Sequence, residues 1–186
     1  YMKTALITGG AQRIGAQIAQ TLHSNGYNVI IHYRHSKQAA ETLAQTLNAQ
    51  RSDSATIVQA ELSNLDDIQA LSHHIERLDV LVNNASVFYP TAVEEANQDA
   101  WNNIMNTNLM APFFLSQSLT AALKKNSGCI INIVDIHGER PLKNHAIYNI
   151  SKAGVAMMTK TLAKELAPEI RVCGVSPGSI LWPENE

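Results

Sequence analysis

The sequence is short of several things, and each shortage removes a class of function. Charge of one sign is missing: 14 Lys and Arg stand against 16 Asp and Glu, a formal net charge of -2. No basic field exists to gather phosphates by counterion release, so neither nucleic acid nor an anionic membrane is expected as a partner. No apolar run approaches the ~18 residues of a membrane-spanning helix. The opening residues also lack the charged lead and small-residue cleavage site of a secretory signal, and the expectation is a cytoplasmic protein. Cysteine is limited to Cys129 and Cys173, both in apolar strand-like runs. They read as buried, reduced thiols rather than as a disulfide framework. His73 and His74 are adjacent and face different directions on a helix, so they form no i, i+4 ligand pair and no metal site is expected.

What is present is alternation. Apolar, β-branched runs at residues 4–8, 28–33, 55–59, 80–82, 129–134 and 171–175 are separated by helical patterns beginning near Arg13, Lys37, Leu65, Gln98 and Asn144. The runs are almost continuously apolar, as strands are when helices cover both faces of a parallel sheet. This predicts an α/β fold, a doubly wound parallel sheet of Rossmann type. With no linker, repeat or low-complexity tract, the 186 residues read as a single domain.

Chemistry-bearing residues fall at strand ends. Thr8-Gly9-Gly10-Ala11-Gln12-Arg13-Ile14-Gly15 joins the first strand to the first helix, where glycines allow a pyrophosphate to approach backbone N–H groups at a helix N-terminus. The second strand ends in His32-Tyr33-Arg34-His35-Ser36. A dinucleotide fold senses the adenosine ribose here, and an acid would bind a free 2′-hydroxyl. An arginine and a serine suit a 2′-phosphate instead, which points to NADPH over NADH. Val82-Asn83-Asn84-Ala85-Ser86 closes the fourth strand, and Phe88-Tyr89-Pro90 follows it on the side where ligands bind, placing an aromatic ring where it could stack on a planar substrate. Asn108 lies in the long helix expected next. Finally, Tyr148 and Lys152 are four residues apart, on one helix face, with Asp135 upstream. On that face Lys152 is expected to favour the ionised phenol and bring its pKa from about 10 toward working pH, making Tyr148 a usable proton donor. An ionised Asp135 would oppose this, so the three should titrate as a coupled unit.

The ordered set Thr8-Gly9…Gly15, Asn83-Asn84-Ala85, Asn108, Tyr148…Lys152 and Ser176-Pro177-Gly178 resembles the short-chain dehydrogenase/reductase family over essentially the whole chain. Arg13-Ile14-Gly15, His32-Tyr33-Arg34, Asn84-Ala85-Ser86 with Phe88, and Val134-Asp135 look like the pteridine reductases within it. The resemblance implies that Tyr148 is the acid, that Lys152 also holds the nicotinamide ribose, and that Asn108 belongs to a water-linked proton relay. Most of the family carries serine at the position of Asp135, thirteen residues before the tyrosine. The pteridine reductases carry aspartate, which hydrogen-bonds the tyrosine and supports proton delivery to a ring nitrogen. Phe88 would sandwich a pterin against the nicotinamide, while Ser86 and Arg13 would contact pterin or cofactor phosphates. Ile14, Leu62, Ala85, Pro177 and Gly178 would complete the cofactor site. Glu61 stands where the family has an aspartate beside the adenine, so that contact is expected to be longer or made by backbone alone. His137 and His145 flank the pocket and read as loop residues.

The expected activity is NADPH-dependent reduction of a dihydropterin or dihydrofolate C=N bond, with hydride going to carbon and a proton from Tyr148 to nitrogen. The alternatives are a carbonyl reductase of the same fold, with Asp135 incidental, and a non-catalytic NADPH-binding protein. By family analogy the helices after residue 98 and after residue 144 would form the faces of a homotetramer. Relatives continue with a substrate-covering segment, a helix and a seventh strand. A lid is therefore expected to begin around Ile180-Leu181-Trp182-Pro183, with the helix and last strand expected beyond Glu186.

Overall fold

The computed structural model describes residues 2–178. Six strands, β1 (Thr4–Ile7), β2 (Asn28–Tyr33), β3 (Ala55–Gln59), β4 (Val80–Asn83), β5 (Cys129–Ile133) and β6 (Arg171–Val175), form one sheet in the order β3-β2-β1-β4-β5-β6. Every pairing is parallel. The order reverses between β1 and β4, which opens a crevice at their C-terminal ends, the place where such sheets take ligands.

Alternation along the strands builds two cores. Leu6, Leu81 and Ile130 face one side, packed with Ile68 and Leu71 of α3 (Leu65–His73), Leu115 of α5 (Ala111–Ser118), Leu123 of α6 (Thr120–Lys124) and Val155 of α7 (Ala146–Glu165). Ala5, Ile7, Val29 and Ile31 face the other, under Ala19 of α1 (Arg13–Ser24) and Leu43 and Leu47 of α2 (Lys37–Gln50). Within the first core runs a polar string. Asn83 and Asn132 lie opposite each other in register, Asn83 Nδ2 donates to Asn132 Oδ1 (2.8 Å), and Asn132 Nδ2 donates to Thr159 Oγ1 on α7 (2.9 Å).

Two local expectations are corrected, and one helix start is refined. The helix expected to run unbroken past Asn108 is instead α4 (Gln98–Met105), a π-helical turn (Asn106–Met110), then α5 and α6. Pro112 has no N–H to return to the Asn108 carbonyl, so the regular i→i−4 ladder fails there and the helix widens. The last helix, expected near Asn144, begins at Ala146. Asn144 sits at φ 61, in the left-handed region, with its carbonyl taken by the Thr91 N–H. Cys173 is exposed and Cys129 only half-buried. Both lie on the sheet face covered by α1 and α2, where Cys129 still reaches that core, but at β6 none of the described residues covers this face. The lid expected at residues 180–183 lies outside the described residues.

Candidate active site

The turn after β1 is locked to the turn after β4 by a two-way clamp. Thr8 Oγ1 accepts the N–H groups of Asn84 (2.9 Å) and Ala85 (3.0 Å), while Asn84 Nδ2 donates to the carbonyls of Thr8 (3.0 Å) and Gly9 (3.2 Å). Asn84 thus braces the glycine turn from behind. A Cβ added to Gly15 would stand 2.1 Å from the Gly9 carbonyl, so α1 approaches the turn as only glycine permits. Helix α1 has no side-chain cap from Gln12 and no acid in its first turn, and such an N-terminus favours an anion through the helix dipole. Arg13 and Ile14 lie in that turn, Arg13 with φ 50.

Beyond the turn is a cavity of about 220 Å³ bordered by Gly9, Gln12, residues 32–36, Glu61, Leu62, Ala85 and Ser86. The sequence places His32 in the strand-end segment expected at the cofactor ribose. It borders the cavity, but it is buried and both ring nitrogens are taken: Nδ1 accepts the Gly9 N–H (3.0 Å) and Nε2 donates to the Ala60 carbonyl (3.1 Å). The ring is therefore neutral, and burial holds its pKa below the ordinary value against the pull of the Ala60 bond and of Glu61. Its part is to hold the glycine turn. Tyr33 is likewise buried. Ser36 donates to Gln12 Oε1 (3.1 Å), and Arg34 forms an ion pair with Glu61. Glu61 is turned toward Ser63, whose N–H (3.0 Å) and hydroxyl (2.8 Å) both bond Oε1. Burial works to raise this carboxyl, but the Ser63 bonds and Arg34 together hold it below the ordinary glutamate value.

On the other side of the crevice, Tyr148 Oη donates to Asp135 Oδ2 at 2.6 Å, and Asp135 Oδ1 accepts the His137 N–H at 2.9 Å. Asp135 is thereby fixed as the cap of a short 3-10 turn after β5. Lys152 is buried, with Nζ donating to the Ile133 carbonyl (3.1 Å) and lying 5.7 Å from the centre of the Tyr148 ring. The expected lowering of the Tyr148 pKa is not found. Burial first, and then the hydrogen bond and charge of Asp135, push it well above its ordinary value. The carboxylate touches Oη directly, whereas the ammonium is bonded to backbone. Burial lowers Lys152 to about 8, with Asp135 pulling the other way.

Asn108 is in the π-helical turn. Its side chain donates to the Val87 carbonyl (3.0 Å) and to Ser151 Oγ (3.2 Å) and accepts the Val87 N–H (2.8 Å). It braces the loop that carries Ser86 and Phe88. Ser151 in turn donates to the Tyr148 carbonyl (2.7 Å), a link sequence reading missed although its place three residues after Tyr148 on one helix marked it. The Phe88 ring meets Tyr148 edge-on at 4.8 Å and stacks on His145 at 4.7 Å and 14°. His145 lies in the loop just before α7, as expected from the sequence. Pro177 and Gly178 follow β6, with open space around Gly178. Among the described residues no cluster of His, Cys, Asp and Glu could hold a metal, and no helix is long and apolar enough to cross a membrane.

The pattern of the short chain dehydrogenase family matches residues 3–185. Pteridine reductase 1 of Leishmania tarentolae is 36% identical over 224 residues, covering 97% of this chain and 78% of the relative. A 3-oxoacyl-acyl-carrier-protein reductase of Staphylococcus aureus is 36% identical over 185 residues, covering 96% and 75%. An uncharacterized oxidoreductase of Staphylococcus epidermidis is 32% identical over 190 residues, covering 99% and 80%. The phenol, the lysine and the glycine turn therefore sit in a known frame, and the chain belongs to the short-chain dehydrogenase family of oxidoreductases.

Proposed function

We propose that this oxidoreductase uses NADPH to reduce a C=N bond of a pteridine, a dihydropterin or dihydrofolate. The observation that carries the reading is the 2.6 Å bond from Tyr148 Oη to Asp135 Oδ2, beside an exposed Phe88 ring. Reducing C=N calls for one proton at nitrogen. A carboxyl in contact with the phenol can resupply it.

The residues present fit a dinucleotide: a glycine turn too tight for any Cβ at Gly15, an uncapped helix N-terminus, and Arg34 with Ser36 at the ribose end. When bound, a reduced dinucleotide supplies a hydride to the carbon of the C=N bond. Tyr148 gives its proton to the nitrogen, and Asp135, only half-buried, returns one to Oη from water. Lys152, with a pKa of about 8, is mostly protonated at neutral pH and holds the nicotinamide ribose. Phe88 stacks on the pterin and fixes its distance from the phenol, while Asn108 braces the loop beneath. Exposed Trp101, Phe113, Ile150 and Met157 on α4, α5 and α7 support assembly into a homotetramer.

The test is a substrate panel read by loss of NADPH absorbance. Dihydropterins are expected to turn over faster than 3-oxoacyl thioesters or simple ketones. A second reading, a carbonyl reductase, draws on the equally similar 3-oxoacyl reductase, and a preference for ketones would establish it against the first.

A further inference from the structure

We infer that Glu61 sets the cofactor preference: its carboxylate shares Arg34 with the 2′-phosphate of the cofactor and so holds discrimination between phosphorylated and unphosphorylated dinucleotides low. This rests on the dinucleotide reading above. The two members of the ion pair are anchored independently of each other. Glu61 is held by its own N–H on Asp67 Oδ2 (2.7 Å) and by the two Ser63 bonds to Oε1, which leave Oε2 to Arg34. The Arg34 backbone is held by Gln59 Nε2 on its carbonyl (3.0 Å). A 2′-phosphate arriving at Arg34 therefore does not dislodge the carboxylate. It takes part of a guanidinium that is already paired, and it brings about two negative charges close to a third.

The side chains are 43% and 31% exposed for Arg34 and Glu61, so water and salt screen the repulsion and the effect is modest. A charge pair in such a setting changes affinity by roughly fivefold. An unphosphorylated ribose meets neither the repulsion nor the competition.

The experiment is calorimetric titration of the purified protein and of Glu61→Gln with two fragments, adenosine 2′,5′-bisphosphate and adenosine 5′-monophosphate. Glu61→Gln is expected to bind the bisphosphate roughly fivefold more tightly with the monophosphate unchanged, and Glu61→Asp, which keeps the charge, is expected to behave as the parent. A bisphosphate affinity that falls or stays level in Glu61→Gln overturns the inference, as does an equal change for both fragments, which a purely structural role would give. Glu61→Ala repeats the measurement if Glu61→Gln does not fold. If the parent protein binds neither fragment, the dinucleotide reading itself falls. If it binds the bisphosphate and the variants leave the ratio alone, only the role of Glu61 falls.

Discussion

Replacing Asp135 by asparagine removes the charge that Tyr148 faces while keeping nearly every atom. The amide oxygen retains the His137 N–H, which Asp135 Oδ1 accepts at 2.9 Å, so Nδ2 turns toward the phenol that now donates at 2.6 Å. Donor then meets donor, the phenol hydrogen must swing away, and the group proposed to return protons to Oη is gone. General acid–base assistance contributes about 10²–10⁴-fold. Turnover of a dihydropterin is expected to fall at least about 100-fold, or about 2.7 kcal/mol of barrier. The dissociation constant for NADPH, measured at about pH 6 so that Lys152 keeps its proton without the help of Asp135, should stay within about twofold, since the Asp135 carboxylate touches Tyr148 and the His137 backbone but not the glycine turn. A second readout is independent of substrate. Asp135 supplies two of the three causes that raise the Tyr148 pKa, so the phenol should ionise at lower pH in the variant. Because the chain has 5 tyrosines, ultraviolet tyrosinate titrations of Asp135→Asn and Asp135→Asn/Tyr148→Phe are compared by difference. Turnover within about threefold of the parent, together with an unmoved tyrosinate curve, would refute the reasoning.

Other perturbations test separate parts. Lys152, lowered to about 8 by burial, should lose its proton before an ordinary lysine, so NADPH affinity is expected to fall as pH rises through about 8; affinity level to pH 10 or so would contradict its charged role. Stability moves the opposite way for this group, because between about 8 and 10.5 the unfolded chain binds more protons, and unfolding free energy from Lys152 rises with pH over that window. Gly15→Ala forces a methyl to 2.1 Å from the Gly9 carbonyl; a loss of about 3 kcal/mol and a melting point lower by about 10 °C are expected by calorimetry. Phe88→Ala removes the stacking face, and the KM for a pterin should rise about tenfold with NADPH binding unchanged. Equal losses for both ligands would show that Phe88 only packs the loop.

Much of the fold was legible because burial on two faces leaves a plain signature. The bounds of β2, β3 and β6 coincide with the runs of β-branched residues at 28–33, 55–59 and 171–175. The candidate site was legible as far as motifs reached: the glycine turn after β1 is bonded to Asn84 after β4, and Asp135 after β5 is bonded to Tyr148, which shares α7 with Lys152. What escaped depends on approach in space. His32 and Arg34 look alike as polar strand-end residues and both border the cavity, yet one is buried with its ring nitrogens taken by Gly9 and Ala60 while the other is partly exposed and paired with Glu61. The pKa of Tyr148 depends on whether the carboxylate or the ammonium touches Oη, which spacing along one helix does not decide. The stack of Phe88 on His145 joins a loop after β4 to the start of α7, and no periodicity links them. The break at Asn108 was written in the sequence as Pro112, and only the missing N–H had to be noticed.

The amides strung from Asn83 through Asn132 to Thr159 have a mechanical consequence. A slip of β4 against β5 by one residue, or of α7 along the sheet by one turn, would leave desolvated amides among leucines at several kcal/mol. The rod that carries Tyr148 and Lys152 is thereby keyed to the centre of the sheet like a tongue in a slot. The height of the phenol above the crevice is set when the chain folds, and an arriving ligand inherits it.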